Sequence, residues 1–230
     1  MNENPIIVAL DVPSESEART LVKALGKAVS FYKVGLELYA SAGMDFVREL
    51  RGEGKRVFLD LKMYDIPETI KRAVAQVGKA GPDFLSIHAI TPVLRAAVEG
   101  RGDSSLKLLA VTVLTSFDDG DVEEMGFPFT LLELVERKTR KAIAAGVSGM
   151  ITSPREVARV RAIAGPEAIL VTPGVRSAGA ARGDQKRVAT PEEALAAGAN
   201  YVVMGRQITR AEDPRGEALR VLDQISTAAR

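Results

Sequence analysis

Asp60-Leu61-Lys62-Met63-Tyr64-Asp65-Ile66-Pro67 follows directly on the apolar run Val57-Phe58-Leu59, so charges fall where a buried strand is running out. Alternate side chains of a strand share a face, which points Asp60 and Lys62 one way and Leu59 and Leu61 the other. An opposite-charge pair aimed into a fold is expensive to desolvate and needs a reason. Asp65 adds a carboxylate that could bracket the same ammonium group. These residues fit either charge-based chemistry in a desolvated place or a salt bridge at a strand end, with Asp65 capping the next helix. A second constellation, Thr172-Pro173-Gly174-Val175-Arg176 with Met204-Gly205-Arg206-Gln207, suits a phosphate: glycine lets an anion approach the backbone, and arginine grips it through a planar fork.

The elements that must position these groups are short β-rich runs: Ile6–Leu10, Phe31–Val34, Val57–Leu61, Phe84–His88, Leu108–Leu114, Val147–Thr152, Ile169–Thr172 and Tyr201–Met204. Amphipathic segments separate most of them. Ser14 with Glu17, Thr130 with Glu133, Ser153 with Glu156 and Thr190 with Glu193 have capping-box spacing. Pro154 and Pro191 suit a first helical position, and Ala80-Gly81, Ala145-Gly146 and Ala197-Gly198 read as helix stops. Strands alternating with helices predict a single-domain (β/α)8 TIM barrel over residues 1–230. The rival, a doubly wound open sheet, favours a glycine-rich turn after its first strand, but Leu10-Asp11-Val12-Pro13-Ser14 contains no glycine. Ser116–Phe129, polar and acidic, reads as a surface loop.

In such a barrel the working residues sit at the C-terminal ends of the strands. Those ends carry Asp11, Lys33, Asp60 with Lys62, His88, Thr115-Ser116, Arg176 and Arg206. Each has a plainer alternative. Asp11 could simply open the loop before Ser14, and His88 suits a hydrogen-bonded structural role better than catalysis. Lys33 is harder to dismiss, because a lysine on a buried strand needs a partner. Asp65 fits an N-cap, with Pro67 in the first turn and Glu68 at capping-box distance.

Composition removes several classes of function. The 230 residues carry 31 Lys+Arg against 30 Asp+Glu and show no basic tract, so a nucleic-acid partner has little support. Cysteine is absent, which excludes disulfides, thiolate chemistry and zinc-knuckle spacing. His88 is the only histidine, so a multi-histidine metal site cannot form within one chain. No apolar run approaches the ~20 residues of a membrane span, and Met-Asn-Glu-Asn-Pro leads straight into a strand. A soluble, cytoplasmic protein is expected.

The chain resembles the orotidine 5′-phosphate decarboxylase family, particularly its bacterial members, nearly end to end. The resemblance is carried by Ala9-Leu10-Asp11, Tyr32-Lys33-Val34-Gly35, Asp60-Leu61-Lys62 with Asp65-Ile66-Pro67 and Thr69, Val113-Leu114-Thr115-Ser116, Thr172-Pro173-Gly174-Val175-Arg176, Gly183-Asp184-Gln185 and Gly205-Arg206. It implies a homodimer that decarboxylates orotidine 5′-monophosphate to uridine 5′-monophosphate without metal or organic cofactor. It also implies a charged array of Lys33, Asp60, Lys62 and Asp65, with Asp65 lent by the partner subunit. Asp11 and Lys33 would contact the ribose, Thr115 the pyrimidine region, and Arg176, Gln185, Gly205 and Arg206 the phosphate. Thr69 would reach across the dimer interface. Lys62 would stabilise a carbanion at C6 and then protonate it, with Asp60 beside the departing carboxylate.

Two positions depart from the family pattern. Glu68 stands where Asn is usual after Asp-Ile-Pro, and His88-Ala89-Ile90-Thr91-Pro92 replaces the common His-Ala-x-Gly-Gly. The competing function is a magnesium-dependent sugar-phosphate synthase or decarboxylase of the same barrel superfamily. Such enzymes tend to carry an acid where this chain has Lys33, and a cation there would repel Mg²⁺. A catalytically silent phosphate-binding barrel is a third reading, compatible with the fold alone.

Overall fold

A parallel strand covered on both sides needs apolar residues on both faces, and the eight strands of this chain supply them apart from a few polar positions, among them Lys33, Asp60 and Ser86. The computed structural model describes residues 4–177 and 189–228. Its strands are β1 (Ile6–Ala9), β2 (Phe31–Gly35), β3 (Arg56–Met63), β4 (Phe84–His88), β5 (Lys107–Val111), β6 (Gly149–Ile151), β7 (Ile169–Pro173) and β8 (Tyr201–Met204). Each pairs in parallel with the next, and β8 returns to β1 with Val8 opposite Met204, closing the barrel. Helices α1 (Glu15–Leu25), α2 (Leu36–Gly52), α3 (Pro67–Ala80), α4 (Thr91–Arg101), α5 (Asp119–Glu124), α6 (Leu131–Ala144), α7 (Val157–Ala164), α8 (Pro191–Ala196), α9 (Arg206–Thr209) and α10 (Pro214–Ala228) lie between and after the strands. The predicted (β/α)8 barrel is therefore the observed architecture.

Strand alternation sorts the core into two shells. Ile7, Phe31, Phe58, Leu109, Val171 and Val203 fill the barrel. Their neighbours Val8, Tyr32, Leu59 and Leu170 face outward with Val22, Leu38, Val74 and Leu94 of the helices. The barrel floor, at the N-terminal ends of the strands, is closed by Arg56. Its guanidinium lies 4.1 Å from the Phe31 ring centre and 5.3 Å from that of Tyr201. It also donates to the Tyr201 hydroxyl at 3.2 Å and sits 3.5 Å from the Asp83 carboxylate.

Local signals mostly act as expected. Thr130 with Glu133 and Thr190 with Glu193 form reciprocal capping boxes, and Ser14 caps α1. Gly81 ends α3 in the left-handed conformation, φ 79°. The Ser153–Glu156 box does not form. The Glu156 N–H, which a Ser153 cap would bind, donates to the Ser153 carbonyl in a tight turn, and α7 begins only at Val157. Pro154 therefore lies outside the helix. The Ser116–Phe129 connection is more ordered than a plain surface loop, since Asp118 and Asp121 box the six-residue α5. So short a helix shows too little periodicity to read. Several strand ends also move, most at the mouth: β5 stops at Val111, leaving Thr115 and Ser116 beyond it, and β3 runs on to Met63. No helix among the described residues is long and apolar enough to cross a membrane.

Candidate active site

The inward face of β3 carries Phe58 in the barrel core and, above it, Asp60 at the C-terminal mouth. Asp60 is 8 % exposed, and three hydrogen-bonding or ionic contacts surround it. Lys62 Nζ donates to its Oδ2 at 2.9 Å, and Lys33 Nζ lies 3.6 Å from the same oxygen. The Ser86 hydroxyl on β4 donates to Oδ1 at 2.8 Å. Lys33, itself 8 % exposed, donates to Asp11 Oδ1 at 2.7 Å. Asp11, Lys33, Asp60 and Lys62 thus form one alternating line of charge from β1 to β3. Burial pushes the Asp60 carboxyl up, but the Lys33 and Lys62 charges, with hydrogen bonds from Lys62 and Ser86, prevail and hold it below the usual range.

Lys62 reaches this position through an irregular backbone. Its φ of 47° is the only positive value among described residues other than glycine. For an L-residue that conformation costs about 1–2 kcal/mol. The β3–β4 register shifts at the same place, between Leu59 and Met63. The Lys62 N–H donates at 2.8 Å to Ser86 Oγ. Sequence reasoning missed Ser86; its one signal is a hydroxyl on the otherwise apolar run Phe84-Leu85-Ser86-Ile87.

Gly35, within the Tyr32-Lys33-Val34-Gly35 motif, also has a spatial role. A Cβ there would lie 2.8 Å from Lys33 Nζ and 2.9 Å from Asp11 Oδ1. The bare backbone leaves room for that ion pair.

Asp65 does not fill the capping role expected of it. Pro67 drives the preceding residue into extended backbone (Ile66 φ −61°, ψ 147°), which makes Ile66 the N-cap. Asp65 is exposed, and its carboxylate accepts the Ile66 N–H at 2.6 Å. Glu68 lies 3.5 Å from Arg72 and does not reach back to close a capping box. Within the chain the carboxylate paired with Lys62 is that of Asp60. Tyr64 and Ile66 beside Asp65 are 66 % and 67 % exposed. Thr69 is half-buried in the first turn of α3, and Thr115 is half-buried in the turn after β5. His88 ends β4 with its ring 5.6 Å from that of Tyr64. Burial, then the Lys138 and Lys62 charges, hold its imidazole below the usual histidine value.

The opposite side of the mouth opens as a cavity of ≈ 330 Å³ whose lining includes Asp11, Lys33, Arg176, Gly205 and Arg206. A Cβ at Gly205 would meet only Ala9, at 3.7 Å, so packing within the chain does not demand glycine there. Arg176 is buried and donates to the Val175 carbonyl at 2.7 Å, whereas Arg206 is exposed. Val175 pairs with Ala189, joining the two ends of the segment that holds Gln185, which itself lies outside the described residues. Next to the arginines, Ser177 and Gln207 clasp one another: Ser177 N–H donates to Gln207 Oε1 at 3.0 Å, and Gln207 Nε2 to Ser177 Oγ at 2.8 Å. Glu217 accepts from the same Gln207 nitrogen at 2.8 Å. A further cavity of ≈ 410 Å³ at the barrel floor is lined by Arg51, Arg56 and Asp83; Arg51 pairs with Asp83 at 2.6 Å, as a structural plug would.

A basic, half-open cavity joined to a buried line of lysines and carboxylates can bind a phosphorylated substrate and present charge to its reacting end. Comparison with known proteins agrees. The sequence profile described as "Orotidine 5'-phosphate decarboxylase / HUMPS family" matches residues 4–221. The orotidine 5′-phosphate decarboxylase of Caulobacter sp. (strain K31) is 51 % identical over 227 residues, covering 98 % of this chain and 99 % of its own. That of Rhodopseudomonas palustris (strain BisB5) is 48 % identical over 223 residues, covering 97 % and 95 %. The crystal structure of orotidine 5′-phosphate decarboxylase from Lactobacillus acidophilus superposes with a TM-score of 0.86 at 34 % identity, covering 97 % of this chain and 99 % of that one. The chain belongs to the orotidine 5′-phosphate decarboxylase / HUMPS family.

Proposed function

We propose that this chain, as one domain over residues 1–230, decarboxylates orotidine 5′-monophosphate to uridine 5′-monophosphate, the last step of de novo UMP synthesis. The observation that carries the reading is the Asp11–Lys33–Asp60–Lys62 line opening beside a cavity lined by Arg176, Gly205 and Arg206. The phosphate sits against Arg176, Gly205, Arg206 and Gln185, and Asp11 and Lys33 meet the ribose hydroxyls. Thr115 borders the pyrimidine. The C6–carboxylate bond breaks, its electron pair stays on C6, and carbon dioxide leaves. The Lys62 ammonium opposes the charge growing on C6 and then transfers a proton to it; the neutral amine recovers its proton from solvent. Asp60, adjacent to the departing carboxylate, repels it in the ground state and holds Lys62 in place.

The magnesium-dependent sugar-phosphate alternative is disfavoured. The Asp60 and Asp11 carboxylates are already matched by the Lys33 and Lys62 ammonium groups, which repel a divalent cation. A second copy of the chain completes the site in this reading. Asp65 and Thr69 serve the partner's pocket, an assignment supported by the outward course of residues 64–68 and the exposed Tyr64 and Ile66. The setting is the cytoplasm, with no nucleic-acid partner.

The test is to mix purified protein with orotidine 5′-monophosphate in excess chelator and follow loss of the orotate chromophore. Turnover is expected; a folded protein that leaves the chromophore intact would overturn the assignment. For the shared site, Asp65→Ala and Lys62→Ala proteins, each inactive, should regain activity when mixed, because hybrid dimers carry one intact site. No recovery despite verified subunit exchange would place Asp65 in its own subunit's pocket.

A further inference from the structure

We infer that Ser86 is a positioning residue of the reaction: its hydroxyl stands in for a missing backbone acceptor at the β3 irregularity and couples the Lys62 backbone to the Asp60 carboxylate. The inference rests on the assignment of Lys62 and Asp60 proposed above.

The strand register shows why a side chain is needed there. Leu59 is opposite Leu85 and Met63 is opposite Ile87, so β3 advances by four residues while β4 advances by two. Ser86 is the single β4 residue facing Asp60, Leu61 and Lys62. The extra residues on β3 take the Lys62 N–H out of the regular ladder, and an unpaired buried N–H is costly. Ser86 Oγ accepts that N–H at 2.8 Å and donates its own proton to Asp60 Oδ1 at 2.8 Å. Its side chain is fully buried, so water does not compete for either bond.

The direction of these bonds carries the argument. Because Oγ accepts from Lys62, the hydroxyl proton is left to point at Asp60. One carboxylate oxygen is then held by Ser86 while the other receives Lys62 Nζ. Backbone and side chain of Lys62 are thereby fastened to two oxygens of one carboxylate. Such a closed loop keeps a four-carbon side chain aimed at one point while its backbone stays left-handed. Alanine would fit the space but would leave the Lys62 N–H without an acceptor and Asp60 without a donor.

The experiment compares Ser86→Ala, Ser86→Thr and Lys62→Ala in steady-state decarboxylation across pH. Ser86→Ala should lower kcat about 10- to 100-fold, as expected for a lost hydrogen bond to a charged group, with KM within about threefold. Ser86→Thr, which keeps the hydroxyl, should recover most of the loss. The acid limb of the kcat profile should move to higher pH in Ser86→Ala, since Asp60 loses a donor that favours its charged form. Lys33 from β2, with Asp11 behind it, and Lys62 on β3 remain around Asp60, so the limb moves and does not vanish. The titration of His88, farther along β4, should stay in place.

Unchanged kcat in Ser86→Ala overturns the proposal. Equal losses in Ser86→Ala and Ser86→Thr also overturn it, marking Ser86 as packing alone. Should Ser86→Ala fail to fold, Ser86→Cys keeps the volume, weakens both hydrogen bonds and carries the same readings. Turnover surviving in Lys62→Ala would instead overturn the assignment of the charged line. Loss there with full activity in Ser86→Ala would overturn the Ser86 proposal and leave that assignment standing.

Discussion

On β2, β3 and β4 each charged side chain at the mouth is held by another side chain: Lys33 by Asp11, and Asp60 by Lys62 and Ser86. The β7–β8 side differs in exposure: Arg176 is buried and donates to the carbonyl of the preceding residue, Arg206 is exposed, and their neighbours Ser177 and Gln207, backed by Glu217, brace one another. The reacting end is therefore built around buried, mutually paired charges, while the anion-binding end keeps one arginine at the surface on a cross-braced backbone. Preorganised charge lowers a barrier because no reorientation is needed as charge develops. An anion-binding end has a different task, since it must admit the ligand before gripping it.

The division of labour between the two ends is most exposed at Lys62. Lys62→Ala should reduce kcat by at least about 10³-fold, a loss on the scale of removing a principal electrostatic stabiliser, while product binding survives. Stopped or quenched assays with a separate binding titration check this, and a comparable loss of binding would show that the two ends do not divide their labour. Arg206→Ala should act the other way, raising KM for the phosphorylated substrate about 10- to 100-fold with a smaller change in kcat. Inhibition by inorganic phosphate should weaken in parallel. A pure kcat effect would erase the contrast between the ends.

Gly35→Ala sharpens the same contrast without touching a charged group. The added methyl must push Lys33 Nζ and Asp11 Oδ1 aside, since it would stand 2.8 and 2.9 Å from them. A fall in kcat/KM of about tenfold is expected from weakening one charge-assisted hydrogen bond, with little change in melting temperature. Activity equal to the parent would mean that the pair tolerates displacement. The smallest effect concerns acid stability. The Asp60 pKa is depressed in the fold, so its contribution is complete above the unfolded value of about 3.9 and is lost as pH falls through the folded value. Asp60→Asn should therefore flatten the acid side of the stability curve below pH ~4, measured by denaturant midpoints. An unaltered slope would show that other carboxylates, and not Asp60, dominate that limb.

The barrel was legible from β-rich runs, paired caps and helix stops because those signals are local and repeat along the chain. The charged line was legible for the same reason: Asp60 and Lys62 interrupt an apolar strand, and Lys33 lies inside another. Ser86 and Gln207 were not legible. Each matters through a partner on a different element, 24 positions from Lys62 in one case and 30 from Ser177 in the other. Strand alternation predicted the shared face of Asp60 and Lys62 but not the left-handed backbone between Leu59 and Met63, since no glycine marks it. Ser153 and Asp65 show the converse error, where a favourable spacing lost to backbone geometry. A tight turn took the N–H that Ser153 would have capped, and Pro67 displaced the helix start past Asp65.

Arg56 closes the barrel floor among Phe31, Phe84 and Tyr201, at the end of β3 opposite Lys62. That stack fills the barrel axis below the core, so the site's charges face the mouth, where the substrate enters. It also separates two kinds of adaptation. Substitutions around the Arg56 stack can raise or lower the melting temperature while the reacting charges, carried at the other end of the same strand, keep their spacing.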